Sequence, residues 1–295
     1  MTRNRFRVCQ IFVTAGLFLA VLTAFPVSVS LGDDQRPWLF ASLQNRLIAD
    51  GFGGDTIHRI YSSPEVSFYG KVISSYFMHR EGKLNYGQFT AAENIRNARA
   101  YMESHQKDLS RAEGLFGVDK TVITAIMLVE TRLGTYLGNN NILNILSTMA
   151  SLKDPSNRDL LWQEQLTDRD ISREEYDAKA LRKADWAYRE LKAFLSYSDR
   201  HGKDPVTLKG SYAGAMGIAQ FMPSNILLLG KDGDGDHVID LFTHPDAIFS
   251  IANYLKHYGW RPGMDRENAY KVIYHYNHSE PYVNTVLDIS ELLKG

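Results

Sequence analysis

The stretch DKTVITAIMLVETRLG, positions 119–134, predicts a helix that carries a carboxylate on its apolar face. Ile123, Ile126 and Met127 recur at helical spacing, and Glu130 follows them by seven, four and three residues, so it points to the same side. Burial of a carboxyl group disfavours its charged form and raises its pKa. Glu130 is therefore a candidate general acid for a reaction near neutral pH.

The same spacing also fits a structural glutamate, hydrogen-bonded to a helix end or paired with Arg132 or another base. Between Thr131 and Lys153 the chain has no Asp or Glu, whereas ordinary glycosidases place two carboxylates around the bond that they cleave. A carboxylate from a distant part of the chain remains able to fold back. The lack of acidic residues after Glu130 therefore suggests, without establishing it, a reaction that uses a single carboxylate.

Composition and charge exclude several classes of protein. The 295 residues are 44% hydrophobic and 23% charged and include one Cys, which argues against disorder, a collagen-like repeat and a disulfide scaffold. The net charge of −1 gives no basic field for nucleic acid. Dinucleotide and phosphate-loop motifs, H-E-x-x-H and G-x-S-x-G are absent, which argues against nucleotide enzymes, zincins and serine hydrolases.

Residues 1–30 predict a secretory signal peptide. A cationic start precedes the apolar stretch Val8–Phe25, and Pro26 and the small residues Ser28–Ser30 follow it. The alternative is an uncleaved signal anchor, because the stretch approaches the roughly 20 residues of a spanning helix. Cys9 lies before the apolar stretch, so it is not placed as a lipoprotein cysteine. The protein is expected to act outside the cytoplasm.

Helical periodicity extends over nearly all of the chain beyond residue 35, and no long strand pattern is visible. This predicts a mostly α protein. The expected helices are a segment that opens at Pro37 and stops at Gly51, then Thr90–Gly114, Lys120–Leu133, Ser172–Arg200, Ala213–Leu229, Asp246–Tyr258, Asp265–Tyr276 and Pro281–Leu293.

The segment GSYAGAMGIAQFMP, positions 210–223, combines small residues with hydrogen-bonding side chains. Its glycines and alanines allow backbone groups to approach a ligand closely. Ser211, Tyr212 and Gln220 supply polar groups, and Met216 supplies a pliable apolar surface. The alternative interpretation is close helix–helix packing through small residues.

The segment KDGDGDHVIDLFTHPD, positions 231–246, predicts a calcium site. Its alternating aspartates match positions 1, 3 and 5 of a calcium loop, in which position 7 offers a backbone carbonyl. His237 stands at position 6 in place of the usual Gly, and Thr243 stands at position 12 in place of Glu, so a loop lengthened by three residues is expected. The predicted ligands are Asp232, Asp234, Asp236, the Val238 carbonyl and Asp246. A solvated acidic turn is the alternative.

Four ordered blocks resemble the membrane-bound lytic murein transglycosylase B family. They are VETRLGTYLG (129–138), LKGSYAGAMGIAQFMPS (208–224), DGDGDHVIDLFTHPDAIFSIANYLKHYGW (232–260) and YHYNHSEPYV (274–283). A weaker similarity extends over roughly residues 35–290. The resemblance implies a mostly α fold with a lysozyme-like helical catalytic core, an additional helical lobe and an EF-hand-like calcium loop. The implied division is an N-terminal helical extension at 31–115 and a catalytic region at 116–295, with the calcium loop at 232–246.

The resemblance also implies a reaction. Members cleave the β-1,4 bond between N-acetylmuramic acid and N-acetylglucosamine in peptidoglycan without water and leave 1,6-anhydromuramic acid ends. Glu130 would be the sole acid and base. A muramidase that hydrolyses the bond, and an inactive peptidoglycan-binding protein of the same fold, remain alternatives.

Site residues follow from the same resemblance, position by position. The expected substrate-binding residues are Ser211, Tyr212, Met216, Gln220, Phe221, Tyr276, Asn277, Tyr282 and Arg158, and the calcium loop would hold a structural Ca²⁺. Arg158 stands alone in DPSNR, where relatives tend to have Tyr-Pro-Arg-Arg. A periplasmic protein is implied that binds glycan strands, does not bind nucleic acid, and touches the membrane only through an uncleaved anchor. Such an activity is compatible with association with the cell-wall synthesis machinery.

Overall fold

A buried apolar helix, formed by the stretch around Glu130, lies at the centre of the protein. In the computed structural model, which describes residues 37–78, 85–167 and 169–294, this helix spans Lys120–Thr131. Every residue from Thr121 to Thr131 is buried, Glu130 included. The predicted apolar face has therefore become a helix that is enclosed on all sides.

Helices make up most of the described residues, which confirms the mostly α prediction. The α-helices are α1 Ala41–Ala49, α2 Gly54–Tyr61, α3 Gly70–Met78, α4 Ala92–Ser104, α5 Gln106–Phe116, α6 Lys120–Thr131, α7 Ile142–Ser151, α8 Pro155–Gln165, α9 Arg173–Arg200, α10 Pro223–Leu229, α11 His244–His257, α12 Arg266–Tyr276 and α13 Glu280–Lys294. Short 3-10 helices span Pro37–Phe40 and Tyr86–Thr90. The antiparallel strands β1 Asn140–Asn141 and β2 Lys209–Gly210 pair with each other.

Two pairs of helices have the most extensive packing among the described residues. Helix α13 packs along α6, and α9 packs along α7. Ser172 caps the start of α9 by accepting a hydrogen bond from the Glu175 backbone N–H, as the sequence predicts for a helix over 172–200. Ala180, Ala184 and Ala187 are all fully buried along this helix, and their small side chains allow close approach of its neighbours.

The N-terminal helices attach to α7 through buried polar contacts. The Tyr61 hydroxyl lies 2.7 Å from the Ser147 hydroxyl, and the Tyr69 backbone N–H donates to Thr148 Oγ1 at 2.9 Å. Since buried polar groups need partners, these bonds fix how the N-terminal helices meet α7.

The prediction of one long helix over Thr90–Gly114 is wrong. The chain bends at His105, which separates α4 from α5. The backbone bond from the His105 N–H to the Tyr101 carbonyl remains at 2.9 Å, so the bend is local. The His105 ring packs against the rings of Tyr101 and His244, with ring centroids 4.2 and 4.4 Å apart. The bend lets α4 pack on α6 while α5 packs on α11.

The helix predicted over Ala213–Leu229 is also wrong in its first half, because α10 begins only at Pro223. Positions 214, 217 and 220 adopt positive φ angles, which no right-handed helix accommodates. Met216 and Phe221 exchange two backbone hydrogen bonds, at 2.8 and 3.1 Å, and close a tight hairpin. We call residues 210–222 the hairpin loop.

The predicted signal at residues 1–30 lies outside the described residues. Within the described residues, no helix combines the length and the apolar character that crossing a bilayer requires.

Gly217 tests whether the hairpin loop depends on close backbone approach. A Cβ at Gly217 (φ 67°) would lie 2.4 Å from the Leu241 carbonyl oxygen, whereas a Cβ at Gly202 (φ 60°) would meet no atom within 4 Å. Gly202→Ala is expected to cost about 1 kcal/mol from the left-handed backbone alone. Gly217→Ala is expected to cost clearly more, as measured by urea unfolding. Equal losses for the two variants would contradict the close approach.

Candidate active site

The Glu130 side chain is buried, and one of its two carboxyl oxygens accepts a hydrogen bond. Its side chain is 2% exposed, and Oε1 accepts a 2.6 Å hydrogen bond from the Tyr282 hydroxyl. No described residue forms a hydrogen bond with Oε2. Burial raises the pKa of Glu130 to about 8, and the bond from Tyr282 opposes this only partly. The carboxyl group therefore holds a proton at neutral pH, and its Oε2 is a buried oxygen without a hydrogen-bond partner among the described residues.

Glu130 is not paired with Arg132, the partner expected if this glutamate had only a structural role. Arg132 is exposed, adopts a left-handed backbone (φ 50°), and donates to Gln88 Oε1 at 3.5 Å. The helix end is closed instead by the Leu133 N–H, which bonds to the Met127 carbonyl at 3.0 Å. Glu130 thus neither pairs with Arg132 nor caps its own helix.

The hairpin loop is tied to α6 beside Glu130. Thr131 Oγ1 donates to the Ile218 carbonyl at 3.0 Å and accepts from the Gly134 N–H at 3.0 Å. The Ile218 N–H in turn donates to the Leu241 carbonyl at 2.8 Å. One threonine, next to Glu130 in the chain, therefore fixes the distance between the loop and the carboxyl group.

Ser211 and Gln220 use part of their hydrogen-bonding capacity to shape the loop. Ser211 Oγ accepts from the Ala213 and Ala215 backbone N–H groups at 3.3 and 3.0 Å. Gln220 adopts a φ of 47°, and its Nε2 donates to the Gly217 carbonyl at 2.8 Å. Both side chains are half-buried, so each also borders solvent.

Met216 and Phe221 lie behind the loop rather than on its surface. They are 0% and 2% exposed. The Phe221 ring packs against the rings of Tyr254 and Tyr276, at 5.4 and 5.8 Å. Their role in the structure is to support the loop from the core side.

Tyr276, Asn277 and Tyr282 come from α12, α13 and the segment between them. The Tyr276 hydroxyl donates to the Ala219 carbonyl at 2.6 Å, which joins α12 to the hairpin loop. Burial, and secondarily the charge of Glu130, raise the pKa of Tyr276. Asn277 is buried directly after it. The structure therefore brings Tyr282 to Glu130 and Tyr276 to the hairpin loop.

Tyr212 and Arg158 contact other parts of the protein. The Tyr212 ring packs 5.9 Å from that of Tyr76 on α3. Arg158 donates to the Leu152 and Lys153 carbonyls at 2.8 and 2.9 Å. These bonds hold the turn between α7 and α8, which is a structural task for Arg158.

Sequence reasoning missed Tyr86. Its ring meets that of Tyr282 edge-on at 6.5 Å, and its 3-10 helix packs on α13. Tyr86 thus helps to hold the hydroxyl that bonds to Glu130. A lone tyrosine in a short polar segment gives no periodic signal, so only the tertiary structure reveals its place.

The predicted calcium loop brings acidic oxygens together. Oxygens of Asp232, Asp234 and Asp246 lie within 4.8 Å of one another. His237 adopts a φ of 70°, the left-handed conformation usual for Gly at position 6, and its N–H donates to Asp232 at 2.8 Å. Asp236 accepts from the Val238 N–H at 2.7 Å instead of joining the three carboxylates.

Asp246 closes this loop at the start of α11. Its carboxylate accepts from the Gly233 and Asp240 backbone N–H groups, at 2.8 and 2.6 Å. Burial raises the pKa of Asp246 to about 6, and the charges of Asp234 and Asp232 act in the same direction. Like charges at this distance repel unless a cation lies between them, so the donor set fits a hard divalent ion.

Comparison with known proteins agrees with this arrangement. Residues 34–267 match the Transglycosylase SLT domain family over most of the chain. The chain belongs to this family. Among curated proteins, membrane-bound lytic murein transglycosylase B of Escherichia coli strain K12 is 34% identical over 176 residues. That match spans 60% of this chain and 41% of the relative.

Solved structures of bacterial proteins share this fold. Pseudomonas aeruginosa SltB3 in complex with NAG-anhNAM-pentapeptide superposes with a TM-score of 0.70 at 20% identity, covering 89% of this chain and 80% of that one. Escherichia coli Slt35 in complex with calcium gives a TM-score of 0.68 at 23% identity, covering 89% and 93%. At these identities the likeness shows the transglycosylase fold, with its lysozyme-like helical core.

Glu130→Gln tests the raised pKa through stability. Between the ordinary pKa of 4.5 and about 8, the folded protein holds a proton at Glu130 that the unfolded chain releases, so stability falls as pH rises across this window. Glutamine lacks this titration and mimics the protonated group. The melting temperature of wild type minus that of the variant is therefore expected to fall from about pH 5 to about pH 8.

Glu93→Gln, which makes the same chemical change at an exposed glutamate, supplies the control. A difference for Glu130→Gln that does not fall with pH more steeply than the difference for Glu93→Gln would contradict the raised pKa.

Proposed function

We propose that this chain is a peptidoglycan lytic transglycosylase that cleaves the β-1,4 bond between N-acetylmuramic acid and N-acetylglucosamine, with Glu130 as its only acid and base. One observation carries the proposal. Glu130 is buried in an apolar helix and keeps its proton at neutral pH. One of its oxygens is bound to Tyr282, and the other has no hydrogen-bond partner within the part of the chain that the structure describes. A carboxylic acid in this state is suited to protonate a leaving oxygen.

Glu130 would act twice in the reaction. The protonated carboxyl group gives its proton to the glycosidic oxygen as the bond to C1 breaks, which releases the N-acetylglucosamine side as an alcohol. The resulting carboxylate then takes the proton of the muramic acid 6-hydroxyl while O6 bonds to C1. The product is a 1,6-anhydro end, and Glu130 regains its proton without water.

The surroundings of Glu130 favour this route over hydrolysis. Retaining glycosidases place a second carboxylate about 5–5.5 Å from the acid, and inverting ones about 6.5–9.5 Å away. A nearby ionised carboxylate would raise the pKa of Glu130, yet only burial and the Tyr282 hydroxyl shift it among the described residues. A hydroxyl of the substrate itself therefore suits the role of nucleophile better than a water molecule activated by a second carboxylate.

Residues around Glu130 would orient the sugar. Ser211 and Gln220, which border solvent on the hairpin loop, would hydrogen-bond the substrate, together with Tyr276 and Asn277. The ionised state that follows proton donation keeps the Tyr282 hydrogen bond, which stabilises the anion. The ligand NAG-anhNAM-pentapeptide of the SltB3 structure supports this class of product.

The family and the sequence support a place in the cell envelope. The predicted signal at 1–30 would export the chain to the periplasm, as a soluble or signal-anchored protein that acts on glycan strands. Work beside cell-wall synthases is compatible with this substrate.

Calcium would have a structural role at the Asp232–Asp246 loop. Three carboxylates converge there, and the His237 backbone has the conformation of a calcium loop. The calcium complex of Slt35, which has the same fold, supports this choice of ion. Bound calcium would neutralise the loop and hold the start of α11.

Product analysis tests the reaction. We expect purified wild-type protein to release 1,6-anhydro-ended muropeptides from peptidoglycan sacculi, as identified by mass spectrometry. Glu130→Gln should lower the rate by at least about a hundredfold, since general acid–base catalysis contributes about 10²–10⁴. Reducing ends would indicate a muramidase instead. Undiminished release by Glu130→Gln would contradict the assignment of Glu130.

A matched pair of aspartates tests calcium binding. Asp234 and Asp204 are both exposed, and each accepts a 3.2 Å bond from the backbone N–H two residues later, but only Asp234 faces other carboxylates. Millimolar Ca²⁺ is expected to raise the melting temperature of wild type and of Asp204→Asn. Asp234→Asn should reduce the shift. No shift in wild type, or equal shifts in all three proteins, would contradict the calcium site.

A further inference from the structure

Glu190 is a buried acidic residue to which the proposed reaction gives no role. It lies on α9 and is 6% exposed, and among the described residues the only other buried acids are Glu130 and Asp246. Its Oε2 accepts a hydrogen bond from the Ser224 backbone N–H at 3.0 Å, and its Oε1 accepts one from the Ser224 hydroxyl at 2.8 Å. One serine, 34 residues later in the chain, therefore occupies both oxygens.

These contacts do not make Glu190 a second catalytic carboxylate. Burial raises the pKa of Glu190, and the two bonds from Ser224 and the charge of Arg189 lower it. Glu130 is not among the described groups that shift this pKa, whereas two carboxylates that share a reaction centre affect each other. Glu190 therefore lies outside the site of cleavage, and any effect on the reaction must pass through Ser224.

Two helices that begin with the same three residues show what Glu190 replaces. Helices α8 and α10 both begin with Pro-Ser-Asn. At α8 the preceding residue, Asp154, accepts a hydrogen bond from the Ser156 backbone N–H at 2.9 Å, which is a local cap. At α10 the preceding Met222 provides no side-chain cap, and the equivalent N–H of Ser224 donates to Glu190 instead. The start of α10 is therefore fixed to α9.

The start of α10 is also the end of the hairpin loop. Only three residues separate Gln220 from Ser224. The first of them, Phe221, exchanges two backbone hydrogen bonds with Met216, and the last, Pro223, has a φ angle that its ring fixes. Little backbone freedom remains between the two ends, so the position of Ser224 determines the position of Gln220.

The hairpin loop is held at three places. The pairing of β1 with β2 holds its beginning, and the bond from Thr131 to the Ile218 carbonyl holds its middle beside Glu130 in the chain. The bonds from Ser224 to Glu190 hold its end, on the side of α9. Glu190 thus supplies the attachment that the other two contacts leave out.

We propose that Glu190 is a positioning residue for the reaction at Glu130: it fixes Ser224, and through Ser224 it fixes the end of the hairpin loop that carries Gln220. The inference rests on the proposed function, in which Gln220 hydrogen-bonds the sugar. Its structural part, the attachment of the loop, is measurable without any substrate.

The test compares the two Pro-Ser-Asn helix starts. Glu190→Leu removes both acceptors at similar volume, and Asp154→Leu removes the acceptor at the start of α8 as the matched control. Glu190→Gln keeps an oxygen for the Ser224 N–H and gains an amide that donates to Ser224 Oγ, so it is the conservative rescue. For each protein, kcat and KM are measured on peptidoglycan sacculi, and hydrogen exchange of residues 210–222 is measured by mass spectrometry, well below the melting temperature.

We expect Glu190→Leu to lower kcat at least about tenfold with a smaller change in KM, because misplacing a substrate by about 1 Å costs up to about a hundredfold. Exchange of residues 210–222 should become faster in the same variant. Glu190→Gln should retain most of the wild-type kcat and slow exchange. Asp154→Leu should lower only the melting temperature, since its helix start does not follow the hairpin loop.

Several results would overturn the proposal. Unchanged kcat or unchanged loop exchange in Glu190→Leu would do so, and so would an equal loss of kcat in Asp154→Leu, which would indicate general destabilisation. A loss in Glu190→Gln as large as in Glu190→Leu would show that the bonds to Ser224 are not what matters.

A second pair of variants applies if Glu190→Leu does not fold. Ser224→Ala removes one of the two bonds, and Ser156→Ala makes the same change at the exposed matching position of α8. Only Ser224→Ala should lower kcat and speed loop exchange, and equal behaviour of the two variants would overturn the proposal. If wild-type protein cleaves no peptidoglycan, the proposed function fails, and the exchange comparison alone decides whether Glu190 holds the loop.

Discussion

The exclusion of water from one carboxyl group is the constraint on which the rest of the structure depends. Glu130 is an acid in an apolar helix, and ionising it there costs free energy that, among the described residues, one hydrogen bond from Tyr282 offsets in part. The protonated state persists because α13 and the hairpin loop cover α6. The packing of segments that are distant in the chain therefore sets the protonation state of Glu130.

A connected set of hydrogen bonds links the acidic loop to this carboxyl group. Asp246 holds the Asp240 N–H, the Leu241 carbonyl next to it accepts from the Ile218 N–H, and the Ile218 carbonyl accepts from Thr131. Thr131 is the neighbour of Glu130. A cation at the acidic loop would act on catalysis only through this framework, by keeping the hairpin loop at its distance from α6.

The sequence predicts the helices and the central acid better than the loops. Helical spacing alone places Glu130 on the apolar side of α6, because burial follows a period that the sequence displays. The hairpin loop was expected to be helical, since nothing local shows that Gly217 must accommodate the Leu241 carbonyl. The bend at His105 and the position of Tyr86 likewise depend on partners far away in the chain. Periodicity cannot contain such information.

The protonation state of Glu130 is the central claim, and infrared spectroscopy measures it directly. The difference spectrum between wild type and Glu130→Gln isolates the carboxyl group, and a pH series follows its titration. We expect the band of a protonated carboxylic acid at neutral pH, replaced by carboxylate bands only as pH rises through about 8. Carboxylate bands that persist down to about pH 5, near the ordinary pKa of glutamate, would contradict the account.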